Sequence, residues 1–358
     1  MNKTPFVLIM AGGVGSRFWP ASRETLPKQF LDITGSGKTL IQQTYERFAL
    51  FIPADRIYVI THIDYMAQTL NAIPGIHLHN IITEPSRNNT AASIALASFK
   101  LQKKDPTAIC IVAPADHIIA DEKEFQKTIL AACDHTSVNG SIVTLSIKPT
   151  RPDTGYGYIE FDPKDKAGVR KVKSFKEKPN PDEALRYLKA GNFAWNAGIF
   201  IWRLDVILEA FRIHATQIFN LLSAGQKVYN TEKENDFVNS EYPRTEKISV
   251  DYAILEKADN VYTIPCDIGW SDLGTWNSLY DNSLKDAQQN ASSKPVYLEG
   301  TNNSLVFSKN SKLIVIKGLE DYIIVDTEDC LLIYPKSEEQ GIKALKEILR
   351  EKGLDDYL

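Results

Sequence analysis

Phe6-Val7-Leu8-Ile9-Met10-Ala11 runs straight into Gly12-Gly13-Val14-Gly15-Ser16-Arg17, and this junction decides the fold. A short apolar run bounded by glycine reads as a strand buried on both faces. Working outward, residues 56–61, 80–83 and 108–113 are similar Ile- and Val-rich runs, and residues 40–51, 64–73, 90–103 and 122–139 are amphipathic stretches that follow them in turn. Strand then helix, repeated, implies an α/β protein with a parallel sheet and helices on both sides. Ligands of such sheets lie beyond the carboxyl ends of the strands. The loops after Ala11, Thr83 and Ala113 are therefore where chemistry is expected.

Farther along, residues 142–147, 156–161, 171–175 and 198–202 read as strands and 181–189 as a helix. The pattern changes near 285. Residues 285–295 are polar and linker-like, and short strands follow at 296–298, 304–307, 313–316, 322–325 and 330–334. Turns of Gly and Asn separate several of them, which indicates a small β-domain. A last helix is expected behind a capping box at Ser337 and Gln340, with Ile342, Leu345, Ile348 and Leu349 on its apolar face. Two domains are thus expected, 1–285 and 286–358.

Bulk properties narrow the function classes. The 358 residues, 43% of them hydrophobic, are ample for a large core. Forty-five acidic against 41 basic residues give a formal charge of -4, and no basic tract points to nucleic acid. No run of about 18 apolar residues suggests a membrane span. The start of the chain lacks the apolar stretch and cleavage site of a leader. Cys110, Cys133, Cys266 and Cys330 are far apart and read as free thiols of a reducing compartment, so a cytoplasmic location is expected.

Three segments carry chemistry. Gly12, Gly13 and Gly15 let the backbone approach a ligand and aim N–H groups at it, and Arg17 and Lys28 follow eleven residues apart. Amide donors, a guanidinium and an ammonium together suit phosphates; a tight turn with solvated charges is the plainer alternative. The loop is not a dinucleotide fingerprint, because position 18 is Phe, and Gly37-Lys38-Thr39 is not a P-loop, because the earlier glycine is Asp32. Asp116, in Pro114-Ala115-Asp116-His117, follows a strand and is placed to hold Mg²⁺ or to cap a turn. Asp272, in Gly269-Trp270-Ser271-Asp272-Leu273-Gly274, could serve the metal too, although spacing alone favours a helix N-cap. His77-Leu78-His79 reads as plain strand or loop, since nothing nearby completes a ligand set.

The stretch from Gly12 to Arg23 with Pro27-Lys28-Gln29-Phe30 resembles the signature loop of the mannose-1-phosphate guanylyltransferases. The resemblance continues in order through Glu84-Pro85 with Asn89-Thr90-Ala91, the Asp116 motif, Gly155-Tyr156-Gly157-Tyr158-Ile159 and Phe175-Lys176-Glu177-Lys178-Pro179. Trp195-Asn196-Ala197-Gly198, the run from Ser249 to Lys257 and the Asp272 segment complete it, so that it covers essentially the whole chain. It implies a Rossmann-like mixed sheet flanked by helices and a C-terminal domain resembling a short left-handed β-helix. It further implies transfer of GMP from GTP to α-D-mannose 1-phosphate, giving GDP-mannose and pyrophosphate, with Mg²⁺ as cofactor and a homodimeric assembly.

Residue by residue, the resemblance assigns Gly12, Gly13 and Gly15 to the GTP phosphates and base, and Arg17 to the β- and γ-phosphates. Lys28 falls on the α-phosphate. The loop carrying Glu84, Asn89 and Thr90 borders guanine and ribose, and Asp116 and Asp272 hold Mg²⁺. Gly157, Glu177 and Asn196 face the sugar, and Lys178 its phosphate. The sequence departs from the family at Asn88 and Ala92, where Arg and Pro are usual, and Arg87 stands one place earlier. Phe18 and Ala21 replace common leucines. Some members carry a further cupin-like phosphomannose isomerase domain; with the chain ending at Leu358, one activity is expected. No general base is required, because the attacking sugar phosphate is already ionised at pH 7. Alternatives that remain open are another sugar 1-phosphate such as a heptose, an inactive GDP-mannose-binding regulator, and an unrelated nucleotide-binding protein.

Overall fold

Buried Ile and Val runs alternate with amphipathic segments in the first part of the chain, and each becomes the element its pattern requires. The computed structural model describes residues 4–165 and 167–358; residues 1–3, where a leader would begin, lie outside them. Strand β1 (Phe6–Met10) is followed by α1 (Leu40–Ala49), β2 (Ile57–His62), α2 (Met66–Ala72), β3 (Ile81–Glu84) and α3 (Asn89–Gln102). Then come β4 (Ile109–Pro114), β5 (Ile118–Ile119), α4 (Glu122–Val138), β6 (Ile142–Ile147), β7 (Tyr158–Phe161) and β8 (Arg170–Lys176). Helix α5 (Pro181–Ala190) precedes the long β9 (Phe193–Arg203), helices α6 (Leu204–His214), α7 (Thr216–Ser223) and α8 (Glu234–Glu241), and β10 (Val261–Cys266).

Nine of these strands form one sheet in the order β3-β2-β1-β4-β9-β6-β10-β8-β7. The first four are mutually parallel, with Met10 opposite both Ile60 and Pro114. Strand β9 runs antiparallel to β4 and β6, so the sheet is mixed. Chain order reverses between β1 and β4, which makes their carboxyl ends the switch point at which α/β sheets present ligand loops. Fully buried Leu8, Ile60, Trp202 and Phe211 belong to the core against this sheet. Helices α6 to α8, in a stretch whose sequence pattern is less regular and where no helix is expected, supply much of it.

The rest of the chain comprises β11 (Trp270–Ser271), α9 (Trp276–Asp281), β12 (Ala291–Ser292), β13 (Tyr297–Glu299), β14 (Leu305–Ser308), β15 (Val315–Lys317), β16 (Tyr322–Asp326), β17 (Leu331–Pro335) and α10 (Ile342–Glu351). Strands β12, β14 and β16 pair in parallel, β17 closes that sheet antiparallel, and β13 pairs in parallel with β15. Tyr297 pairs with Val315 and Leu305 with Ile323, each eighteen residues on. The last helix begins later than its expected capping box: Lys336–Gly341 is a 3-10 turn, and Gly341 caps α10 without a side-chain hydrogen bond.

Contacts divide the chain into two compact units. One holds the chain through Gly12, Thr44–Ala115 and Ile119–Trp270; the other holds Gly13–Gln43, Asp116–Ile118 and Ser271–Leu358. A single boundary near 285 does not describe this division, because the loops leaving β1 and β4 belong with the C-terminal strands. Phe18, Leu31 and Leu273 share one core with Trp276, Phe307, Ile323 and Ile342. All four cysteines are free thiols.

Candidate functional site

The glycine loop is fixed at its shoulders and shaped at Gly15. Gly15 has φ 67, in the left-handed region, and a Cβ there would lie 2.5 Å from Cβ of Lys28. Only glycine meets both demands. The Ser16–Phe18 turn that follows is anchored by Phe18, whose ring meets Trp276 at 4.7 Å between centroids. Ser22 donates a 2.7 Å hydrogen bond to the carbonyl of Val14, and the Trp19 indole donates to the carbonyl of Tyr357. Apolar anchors thus hold a polar loop whose Arg17 is exposed.

Lys28 is buried on its own 3-10 turn, and its ammonium is fully engaged. It pairs with Oδ2 of Asp116 at 2.7 Å and donates to the carbonyls of Asp272 at 3.0 Å and Leu273 at 2.8 Å. Leu273 has φ 44, a costly conformation for a branched side chain, and its burial in the core holds it there. That strain turns the two carbonyls onto Lys28. Asp272 does not cap the following helix: Thr275 does, in a capping box with Ser278, and Oδ1 of Asp272 instead accepts from the amide of Gly274. Burial alone would raise the Asp116 pKa, but the Lys28 ammonium, with His117 beside it, holds the carboxyl below its usual range.

A cavity of about 320 Å³ gathers these groups, lined by Gly15, Arg17, Lys28, Asp116, Asp272 and Lys343 among others. Two carboxylates on one polar cavity fit Mg²⁺, which takes one or two protein carboxylates and completes its shell with water and phosphate. Among the described residues no cluster of three or more His, Cys, Asp or Glu offers a softer site. Of the expected decoys, the Gly37 stretch is a loop, while His77-Leu78-His79, expected as strand or loop, enters a 3-10 turn at Leu78–Asn80. Asp32, in place of a P-loop glycine, accepts from the amides of Ser36 and Gly37, and His77 stacks on His79.

The other expected residues fall into two clusters of the sheet-bearing unit. Glu84, at the end of β3, is buried and accepts from Ser93 at 2.5 Å and from the Tyr242 hydroxyl. Burial raises its pKa despite those donors and the nearby Arg87. Gly12 lies against it, 3.5 Å from Oε2 to a built Cβ, whereas Gly13 is open. Asn88, one of the two departures from the resembled pattern, is a buried clamp: its amide donates to the carbonyls of Tyr242 and Thr245 and to the Thr245 hydroxyl. Arg87 lies outside over the Tyr65 ring. Asn89 has φ 66, and the Thr90 hydroxyl accepts from the amide of Val250.

The second cluster surrounds Gly157. A Cβ at this position would come within 2.5 Å of Oε2 of Glu177, and the Gly157 carbonyl accepts from the amide of Asn196. Glu177 pairs with Lys178 at 3.2 Å; Lys178 itself has φ 46. The Asn196 side chain accepts from the Thr144 hydroxyl and donates to Asp251 at 3.2 Å. Burial, then repulsion from Glu177, pushes the Asp251 pKa up to about 7. Sequence reasoning assigns no role to Asp251 or Lys343. Asp251 could have been noticed in the segment from Ser249 to Lys257, but Lys343 carries no signal beyond a polar helix face.

A family model described as nucleotidyl transferase matches residues 6–289. The chain belongs to the nucleotidyl transferase family. Mannose-1-phosphate guanylyltransferase 2 of Escherichia coli O157:H7 is 36% identical to this nucleotidyltransferase over all of the chain and 76% of its own length. The alginate biosynthesis protein AlgA of Pseudomonas syringae pv. tomato is 34% identical over 97% of the chain and 72% of its own. The crystal structure of a protein described as mannose-1-phosphate geranyltransferase, from Thermus thermophilus, superposes with a TM-score of 0.88 at 28% identity. It covers 97% of this chain and 100% of that one. The α/β nucleotidyltransferase fold, with its mixed sheet and helices, is therefore that of this chain.

Proposed function

We propose that this nucleotidyltransferase moves GMP from GTP to α-D-mannose 1-phosphate, forming GDP-mannose and releasing pyrophosphate. The observation that carries the reading is the convergence of Arg17, Lys28, Asp116 and Asp272 on one cavity. The names of the relatives support the sugar and the base.

Two anions must react, so repulsion and alignment are the obstacles, and positioned cations relieve them. Lys28 is held rigid by two carbonyls and a carboxylate, which suits it to the α-phosphate, where charge accumulates as pyrophosphate departs. Arg17 takes the departing phosphates. Gly12, Gly13 and Gly15 present backbone to the nucleotide, and Glu84, Asn89 and Thr90 are assigned to base and ribose. Gly157, Glu177 and Asn196 are assigned to the sugar hydroxyls, and Lys178 to the sugar phosphate. Bound between Asp116 and Asp272, Mg²⁺ would supply charge neutralisation on the phosphate oxygens.

The reading extends to a cytoplasmic location, supported by the four free thiols. It extends to a homodimer, supported by exposed Tyr297 of β13, Val315 of β15 and Leu313 just before β15; a monomer in light scattering at micromolar concentration would reject that assembly. The eighteen-residue spacing of parallel partners supports a short left-handed β-helix. Incubating the protein with each nucleoside triphosphate, Mg²⁺ and mannose 1-phosphate while following pyrophosphate tests the function. Release with GTP is expected. No release with any triphosphate overturns the reading.

A further inference from the structure

Lys343 lies well past the 6–289 segment matched by the family model, yet it lines the cavity that holds Arg17, Lys28, Asp116 and Asp272. It is the second residue of α10, directly after Ile342, which is fully buried in the same core as Phe18. Helix α10 packs on the Ser16–Phe18 turn that presents Arg17. The backbone carrying Lys343 is thus set beside the glycine loop by apolar packing and not by its own charge.

Among the described residues neither Arg17 nor Lys343 has an ion pair, and both are exposed, whereas Lys28 is buried against Asp116. The cavity therefore has two kinds of cation: a neutralised one held deep beside the carboxylates, and two unneutralised ones. Like charges facing one cavity repel each other, and an anion of high charge with several oxygens relieves that repulsion best.

We propose that Lys343 binds the terminal phosphates of the nucleotide together with Arg17, and so holds the pyrophosphate as it leaves. The inference rests on the function proposed above. It gives the C-terminal helix a direct part in substrate binding.

The test compares the full-length protein with Lys343→Ala and Lys343→Arg. In the reverse reaction Lys343→Ala is expected to raise KM for pyrophosphate about tenfold, the worth of one lost phosphate contact. KM for GDP-mannose should stay within about twofold, a split that loss of structure would not give, and Lys343→Arg should restore most of the affinity. Lys352→Ala, which removes a charge at the far end of the same helix, controls for general electrostatics. Should the wild type transfer GMP while Lys343→Ala binds pyrophosphate as well as it does, the proposal is overturned. Should the wild type transfer nothing, the proposed function falls by itself. Calorimetric titration with magnesium pyrophosphate then decides on Lys343: about tenfold weaker binding by Lys343→Ala supports it, and equal binding rejects it.

Discussion

The cavity around Lys28 and the Gly157 cluster differ both in the charge they gather and in the elements that carry it. In the cavity Arg17, Lys28, Asp116 and Asp272 stand on loops and 3-10 turns, made rigid by Gly15, by strained Leu273 and by aromatic anchors, and Lys343 stands on α10. Around Gly157 all but Asp251, which opens a single π-helical turn, stand on or beside strands β7, β8 and β9, where the ladder itself fixes Asn196 opposite Ser146. The cavity collects cations around two carboxylates, while the cluster collects the carboxylates Glu177 and Asp251 around amides. Reaction at phosphorus requires concentrated positive charge, and recognition of neutral hydroxyls requires acceptors. The difference predicts that variants in the cavity lower turnover for any sugar, and that variants in the cluster alter sugar affinity.

The largest effect is expected at Lys28. Lys28→Ala should lower kcat by roughly 10²–10³-fold, the usual cost of one lost transition-state donor. Lys28→Arg should rescue little, because the ammonium is enclosed by Asp116 and two carbonyls that a wider guanidinium cannot share. A loss under about fivefold for Lys28→Ala would remove the residue from its assigned role. Asp116→Asn comes next, with a fall of about 10² in kcat that excess Mg²⁺ partly restores. Metal titrations of the wild type and this variant that superimpose would count against Asp116 as a ligand.

How much of this is legible in the sequence follows the same divide. Strands β1 to β4 and helices α1, α3 and α4 can be read from periodicity, because buried parallel strands are continuous apolar runs. Gly15 and Asp116 stand out because they follow such runs within a few residues; Lys28, well past β1 on its own 3-10 turn, stands out only as a cation near the glycine loop. Spacing alone reads Asp272 as a cap, since Asp is the stronger N-cap residue; Thr275 takes that role three residues later because Ser278 completes a capping box with it. Helix α6 is legible although no helix is expected there: Leu204, Ile207, Leu208 and Phe211 fall at i, i+3, i+4 and i+7 and are all buried; α8, with Val238 as its one buried residue, offers no such stripe. Lys343 is hidden: a solvent-facing lysine at the start of an amphipathic helix acquires meaning only once Ile342 docks that helix beside Arg17.

On the sugar side, Gly157→Ala sharpens the comparison. The added methyl would lie 2.5 Å from Oε2 of Glu177, so that carboxylate must shift, with the Phe175 ring at 3.3 Å and Cβ of Asn196 at 3.4 Å leaving it little room. Overpacking of this kind costs about 1–3 kcal/mol. KM for the sugar 1-phosphate is expected to rise about tenfold while KM for GTP holds. An equal rise for both substrates would dissolve the distinction between cavity and cluster.

The smallest effect concerns stability and its sign. Asp251 has a pKa of about 7 against an ordinary 3.8, because burial and Glu177 disfavour its charge. Between those values the native chain keeps a proton that the unfolded chain has released. Stability is therefore greatest below the unfolded value and falls as pH rises towards 7, with a slope of at most about 1.4 kcal/mol per pH unit from this one group. An amide at this position carries no titrating proton yet can still accept from Asn196, so Asp251→Asn should flatten the urea midpoint between pH 4 and 7 relative to the wild type. Parallel curves for the two proteins would mean that the Asp251 proton is released at its ordinary pH. The Gly157 cluster would then carry a full second negative charge at neutral pH, with Lys178, the partner of Glu177, as the cation closest to hand.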